Sequence, residues 1–227
     1  MTQPVDATIE VPVWDWPVRV VHWVMVLLVA VSLTTGLIGS EMLVWHMRSG
    51  ETLLALLLFR IVWGFVGSPN ARFASFVRGP TAVFAYCRSF VRPPHQVHAT
   101  HNPIGGWMVI ALMLALLFQA GTGLFTNDDI LNEGPLVKHI SKDLSDAISS
   151  LHRRGWWVVA GLSALHIVAV LSYLMVLRDN LVYPMVHGRK TLPPLVADPT
   201  AATASSTRAV VVLAVCAAVV WWTVNRL

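Results

Sequence analysis

Charge is scarce in this chain: Asp, Glu, Lys and Arg make up only 12% of its 227 residues, about half the roughly 25% usual in soluble domains. With 56% hydrophobic residues, that shortage excludes an ordinary soluble globular domain and a disordered chain. Cysteine is also sparse. Cys87 and Cys216 are the two present, too few for a disulfide scaffold or a four-cysteine iron–sulfur site, and no mutual disulfide is expected between a surface helix and the last span. No C-x-x-C-H motif is present, which excludes covalent haem attachment, and no Gly-rich phosphate loop occurs. The net charge of +4 comes without a basic patch interleaved with aromatics, so nucleic acid is not an expected partner. No internal repeat is evident.

What is abundant is gathered into long apolar runs. A bilayer-crossing helix needs about 17 to 25 mostly uncharged residues, and candidates lie near 19–39, 43–66, 105–125, 153–177 and 209–225. These runs are too long for strands and lack the alternation of a membrane barrel. The expected fold is an all-α integral membrane protein, with the lipid bilayer as its solvent: a four-helix transmembrane bundle plus a fifth, C-terminal transmembrane helix. The first span follows a lone Arg19 without an A-x-A site and reads as a retained helix. The expected organisation is a membrane domain over 1–192, a linker over 193–208, and the additional helix over 209–227.

Loop charges set the expected orientation. Arg19, Arg72, Arg78, Arg88, Arg92, Arg178, Arg189, Lys190 and Arg208 fall on the side of the N-terminus, nine against the six of Arg48, Lys138, Lys142, Arg153, Arg154 and Arg226. The positive-inside rule then puts the N-terminus in the cytoplasm and, after five crossings, the C-terminus on the outer side. The loop Thr126–Leu151 collects Asp128, Asp129, Glu133, Asp143 and Asp146. Between Ser68 and Pro103, Pro80 opens and Pro93 stops a segment that reads as an amphipathic helix on the inner face, with Arg78, Arg88 and Arg92 toward headgroups and Val83, Phe84, Phe90 and Val91 dipping inward. The Pro-, Ala-, Ser- and Thr-rich segment Thr191–Thr207 reads as a flexible linker.

The informative residues are His22, His46, His152 and His166, inside or at the ends of spans. Ionisable groups in a bilayer are costly and face a bundle interior, where they pair or bind something. Each alone is compatible with hydrogen-bonded packing or, for His46 and His152, with an interfacial position. Together they match in depth. His152 and His166 are 14 residues apart, which means about 21 Å of rise and a rotation mismatch of only about 40° on one helix. Following the crossings, His22 and His166 share the inner level and His46 and His152 the outer one. Two imidazoles facing each other at one level are what bis-histidine ligation of a haem iron requires.

Arg60 lies 14 residues after His46, on nearly the same face at the inner level. A haem propionate would supply the anion a buried guanidinium needs; the other reading is that Arg60 snorkels to headgroups. Arg153 and Arg154 either serve outer propionates or mark the interface. Gly36, Gly50, Gly105, Gly106, Gly121 and Gly123 admit close approach of a helix or a flat cofactor. Most of the ten tryptophans fall near span ends, as an interfacial belt would place them.

These residues resemble a family. V-W-D-W-P-V-R-V-V-H-W, W-H-M-R-S-G with F-R-I-V-W-G, H-N-P-I-G-G-W-M, L-H-R-R-G-W-W, A-L-H-I-V-A-V and V-H-G-R-K are similar to the bacterial cytochrome b561 and nickel-iron hydrogenase b-type cytochrome family over about residues 13 to 192. The resemblance implies a four-helix core with two non-covalent haem b groups, electron exchange with membrane quinone, and a redox partner protein. It carries haem ligation to His22, His46, His152 and His166. The expected function is a transmembrane di-haem b-type cytochrome passing electrons between the quinone pool of a respiratory chain and a partner, either hydrogenase-like or a periplasmic c-type cytochrome steered by the acidic outer loop. Two alternatives remain open here: a quinone-coupled superoxide oxidase and a haem-free proton-relay transporter.

Overall fold

The computed structural model describes residues 8–90, 98–130 and 132–226. Strand β1 (Ile9–Pro12) leads into α1 (Trp16–Ile38); α2 (Leu43–Val66) follows, then the short α3 (Phe73–Phe76) and α4 (Pro80–Phe90). Next come α5 (Pro103–Gly123), α6 (Lys142–Met175), α7 (Val182–His187), strand β2 (Arg189–Leu192) and α8 (Ser206–Arg226). Among the described residues five helices are long and apolar enough to cross a membrane: α1, α2 with the turn preceding it, α5, α6 and α8. The protein is an all-α, multi-pass membrane protein, and the two short strands pair with each other, antiparallel, Ile9 opposite Leu192. Half of the most apolar window of α2 is buried, against 17% or less in the other four. A protein dissolved in lipid has no reason to hide its apolar side chains from solvent, so exposed Leu and Val on those helices are the expected lipid-facing surface.

The chain divides into two compact units. The first comprises Met1–Val20, Val62–Ile110 and His166–Ala209. Its centre is Asp15, only 5% exposed. One carboxyl oxygen caps α1 by accepting the Val18 amide at 2.8 Å; the other accepts Trp63 Nε1 at 2.9 Å and Ser68 Oγ at 2.6 Å. A single side chain thus satisfies an orphan donor at a helix start and two buried donors from the end of α2. Gly188 ends α7 with a φ of 82°, a left-handed conformation favouring glycine, and its carbonyl accepts the Val13 and Trp14 amides at 2.7 and 3.2 Å. Arg19 Nη1 donates to Val186 O at 2.6 Å. At the start of α5, Asn102 Oδ1 accepts the Gly105 amide at 2.8 Å, Pro103 occupies the first turn, and the Phe76 carbonyl would lie 2.7 Å from any Cβ on Gly106. Asn102 Nδ2 also donates to Tyr173 Oη at 2.6 Å, and that hydroxyl meets Tyr86 Oη at 2.7 Å.

The second unit comprises Val21–Ile61, Ala111–Leu165 and Val210–Leu227. Leu53, Leu57, Leu116 and Val159 form one buried cluster, and Leu54, Ala55 and Val220 another. Successive faces of α2 therefore meet α5 and α6 on one side and α8 on another, which is why α2 is the most enclosed span. The loop before α6 is closed by Asn127 Nδ2 on Ser145 Oγ and Asp146 Oδ1, and by Ser149 Oγ accepting the Asn127 amide at 3.0 Å.

Several expectations from sequence are corrected. The helix carrying His152 begins at Lys142, so 142–151 is not loop; at about 1.5 Å per residue its 34 residues exceed any bilayer core, and the extra turns are held by the Asn127 contacts. The segment Thr191–Thr207 is not a flexible linker: Thr191 lies in β2, Ser206 in α8, and between them Ala201 is buried and its carbonyl accepts the Asn70 amide at 2.9 Å. Its composition disfavours helix, but strand pairing and turn hydrogen bonds order it. Trp63, fully buried, and Trp14, 8% exposed, are core residues and not part of a belt. In α4, Pro80 opens the helix as expected; Val91, Arg92 and Pro93 lie outside the described residues, as does the Phe90 side chain. Cys87 is exposed and Cys216 buried, both free.

Candidate haem site

α2 begins with His46 in its first turn and α6 carries His152 in its middle. The structure brings these two together within the second unit: their ring centroids are 6.0 Å apart and the planes stand at 86°. Each ring is fixed from behind. His46 Nδ1 lies 2.9 Å from Ser32 O on α1, and His152 Nδ1 lies 3.0 Å from Gln119 O on α5. A carbonyl only accepts, so each Nδ1 carries the proton and donates it. In the neutral imidazole the lone pair then resides on Nε2, the arrangement in which a second-shell carbonyl orients a metal-binding histidine.

Hydroxyls reinforce this. Ser49, 4% exposed, donates to His46 O at 2.9 Å and lies 2.7 Å from Ser32 Oγ. Because the Ser49 proton is committed to the carbonyl, Ser32 donates to Ser49. Thr122 Oγ1 is 3.2 Å from His152 Nδ1, and Gln119 Nε2 donates to His152 O at 3.0 Å. Two glycines flank the rings: a Cβ on Gly36 would lie 3.0 Å from His46 Cε1, and one on Gly123 would lie 3.1 Å from His152 Cε1. Gly50 and Gly121 face nothing within 4 Å, so close approach explains only part of the glycine pattern.

The donor set fits a haem iron. Two imidazoles holding one haem iron between them, with metal–nitrogen bonds of about 2 Å, would have ring centroids about 6 Å apart, and the 6.0 Å between His46 and His152 is compatible with that. His22 on α1 and His166 on α6 are both half-buried; the reading of these two as one pair rests on helical spacing. Arg60 is 6% exposed, a buried guanidinium on α2 and not one stretched toward solvent. The acidic loop is less negative than its sequence suggests, since Lys142 pairs with Asp129 and Asp146.

Sequence reasoning passed over Ser32, Ser49, Gln119 and Thr122. Gln119, a lone amide in an otherwise apolar run, was the available signal. It also passed over Asp15, although a carboxylate between two tryptophans just before a helical proline is the pattern of a buried cap.

Comparison with known proteins agrees with this chemistry. The chain is 24% identical to a "Probable Ni/Fe-hydrogenase B-type cytochrome subunit" of Rhizobium leguminosarum bv. viciae, over 80% of this chain and 89% of that one. It is 23% identical to the protein of the same description from Bradyrhizobium diazoefficiens, over 78% and 85%. To the "Probable Ni/Fe-hydrogenase 1 B-type cytochrome subunit" of Escherichia coli K12 it is 23% identical, over 84% and 95%. No solved structure matches. The family model for prokaryotic cytochrome b561 matches residues 13–188, a stretch that starts and ends on the hydrogen-bonded pair Val13 and Gly188. A membrane-spanning helical protein with imidazoles so arranged, matched over most of its length by that model, is a b-type cytochrome whose cofactor is haem b, and the chain belongs to the prokaryotic cytochrome b561 family.

Proposed function

We propose that this protein is a di-haem electron carrier linking the membrane quinone pool to a redox partner. The observation that carries the reading is the His46–His152 pair, rings 6.0 Å apart with each Nδ1 held by a carbonyl. His46 and His152 would hold one haem b, and His22 and His166 a second. Bound there, haem would supply one-electron chemistry, and a pair of histidine ligands to each haem would favour outer-sphere transfer over oxygen activation. The chain contributes orientation: Ser32 and Gln119 fix which nitrogen faces the iron, Gly36 and Gly123 leave the ring edges uncrowded, and Arg60 offers a cation to a propionate.

The names of the relatives favour a hydrogenase as the partner. The N-terminus is proposed to be cytoplasmic and the C-terminus periplasmic, by the charge bias of the loops. A periplasmic c-type cytochrome is the second partner considered, and it would dock on Asp128, Glu133 and Asp143. The test is stopped-flow reduction by a quinol analogue in proteoliposomes, then reoxidation by hydrogenase or c-type cytochrome across a salt series. Quinol should reduce both haems. If it reduces neither while dithionite reduces both, the quinone role is wrong; salt-independent reoxidation by c-type cytochrome removes the acidic surface from the account.

A further inference from the structure

An open cavity of about 360 Å³ lies in the first unit where α2 ends and α8 begins, and no histidine is among its walls. Trp63, Arg72, Thr203, Ala204, Ser205 and Arg208 are among its walls. Both arginines donate to carbonyls at or just past the end of α2: Arg208 Nη1 to Val66 O at 3.0 Å, and Arg72 Nε to Gly67 O at 3.0 Å. Among the described residues neither pairs with a carboxylate, and no acid lines the cavity. Asp15 lies behind the wall, 5% exposed and occupied by Trp63, Ser68 and Val18.

Two exposed arginines, each tied by one hydrogen bond to a main-chain carbonyl, thus line a polar cavity that has no carboxylate among its walls. Val66 and Ser206 are the ends of two candidate membrane spans, so the cavity sits at the level where a bilayer changes from acyl chain to headgroup. Anions at that level are lipid phosphates. Arginine suits them because its planar fork binds phosphate oxygens in pairs, and basic pockets between transmembrane helices take anionic headgroups. The hydroxyls of Thr203 and Ser205 add donors suited to a phosphodiester or a glycerol.

We propose that this cavity binds the phosphate headgroup of one anionic membrane lipid. The lipid would join the end of α2 to the segment that leads into α8, neutralising Arg72 and Arg208 together.

The test is native mass spectrometry of the haem-loaded protein in detergent, with added phosphatidylglycerol, phosphatidylcholine or inorganic phosphate. One phosphatidylglycerol should be retained and phosphatidylcholine should not. Arg72→Gln with Arg208→Gln should weaken retention by about thirtyfold, the effect of two basic residues at a membrane surface. Arg78→Gln with Arg88→Gln, which removes equal charge elsewhere, should leave it unchanged. Ala204→Phe, which fills the cavity and keeps both arginines, should also abolish retention while the haem spectrum stays unaltered. Equal retention by the Arg72/Arg208 variant, by Ala204→Phe, or of both lipids overturns the proposal. Displacement of the lipid by millimolar inorganic phosphate would identify a free-anion site and overturn the lipid assignment.

Discussion

The imidazoles of His46 and His152 lie 6.0 Å apart between centroids with their planes at 86°, and each donates its Nδ1 proton to a main-chain carbonyl of a third or fourth helix. The orientation of both rings is thereby set by backbone carbonyls that side-chain substitution leaves in place. The two histidines, and the small residues beside them, are what mutation can reach.

His46→Ala and His152→Ala should therefore each remove the same haem, leaving about half the pigment. His22→Ala and His166→Ala should remove the other. Potentiometric titration followed optically checks this: each variant loses one component, shared within a pair. A common component lost from His22 and His46 variants would refute the assignment.

Gly36→Val and Gly123→Val should disturb the His46/His152 haem alone. Even a Cβ at these positions would lie 3.0 or 3.1 Å from an imidazole carbon, tighter than ordinary contact, and the added methyls of valine force the ring to turn in a packed interior. A shifted low-spin electron paramagnetic resonance signal or loss of that haem is expected, with the second component retained. Gly50→Val and Gly121→Val, where nothing stands within 4 Å of the Cβ position, serve as controls.

Arg60→Leu should lower the midpoint potential of the inner-level haem. Removing a buried cation beside the macrocycle favours the ferric form, and a propionate that then takes up a proton would offset part of the change and make the potential pH-dependent. Redox titration at two pH values reads both effects. An unchanged potential with both haems present would mean Arg60 serves packing.

Asp15→Ala should destabilise the protein without removing haem. It deletes a helix cap, worth about 1 kcal/mol, and strands two buried donors at about 1–3 kcal/mol each. A loss of about 3 kcal/mol or more is expected in detergent unfolding. Trp63→Phe, which removes one donor and some buried volume but leaves the helix cap and the Ser68 bond to Asp15 in place, should cost less.

His98 introduces a pH dependence outside the spans. Partial burial, with the nearby Lys190 charge adding to it and Asp179 opposing, holds its pKa below the ordinary histidine value of about 6.5. The folded state then binds fewer protons than the unfolded one, so this contribution to stability is present above about pH 6.5 and is lost as pH falls toward the folded pKa. His98→Gln should flatten the decline in thermal stability between neutral and mildly acid pH.

The spans, their number and the meeting of His46 with His152 were legible in the chain because they depend on local quantities. Hydropathy sums over about 20 residues, and a spacing of 14 residues returns to nearly the same helix face whatever surrounds it. Tertiary structure decided what depends on residues remote in sequence. It selected Gly36 and Gly123, and not Gly50 or Gly121, as the glycines beside the rings; it gave Ser32 O and Gln119 O to the two Nδ1 atoms; and it buried Trp63 on Asp15 when composition placed it in a belt. It also extended α6 back to Lys142 and packed the Pro- and Ala-rich stretch before α8 against Asn70. Periodicity reports which way a side chain leaves its own helix. Which atom it meets there is settled by how helices pack, and a hydrogen bond of about 3 Å leaves no room for that to be read from spacing alone.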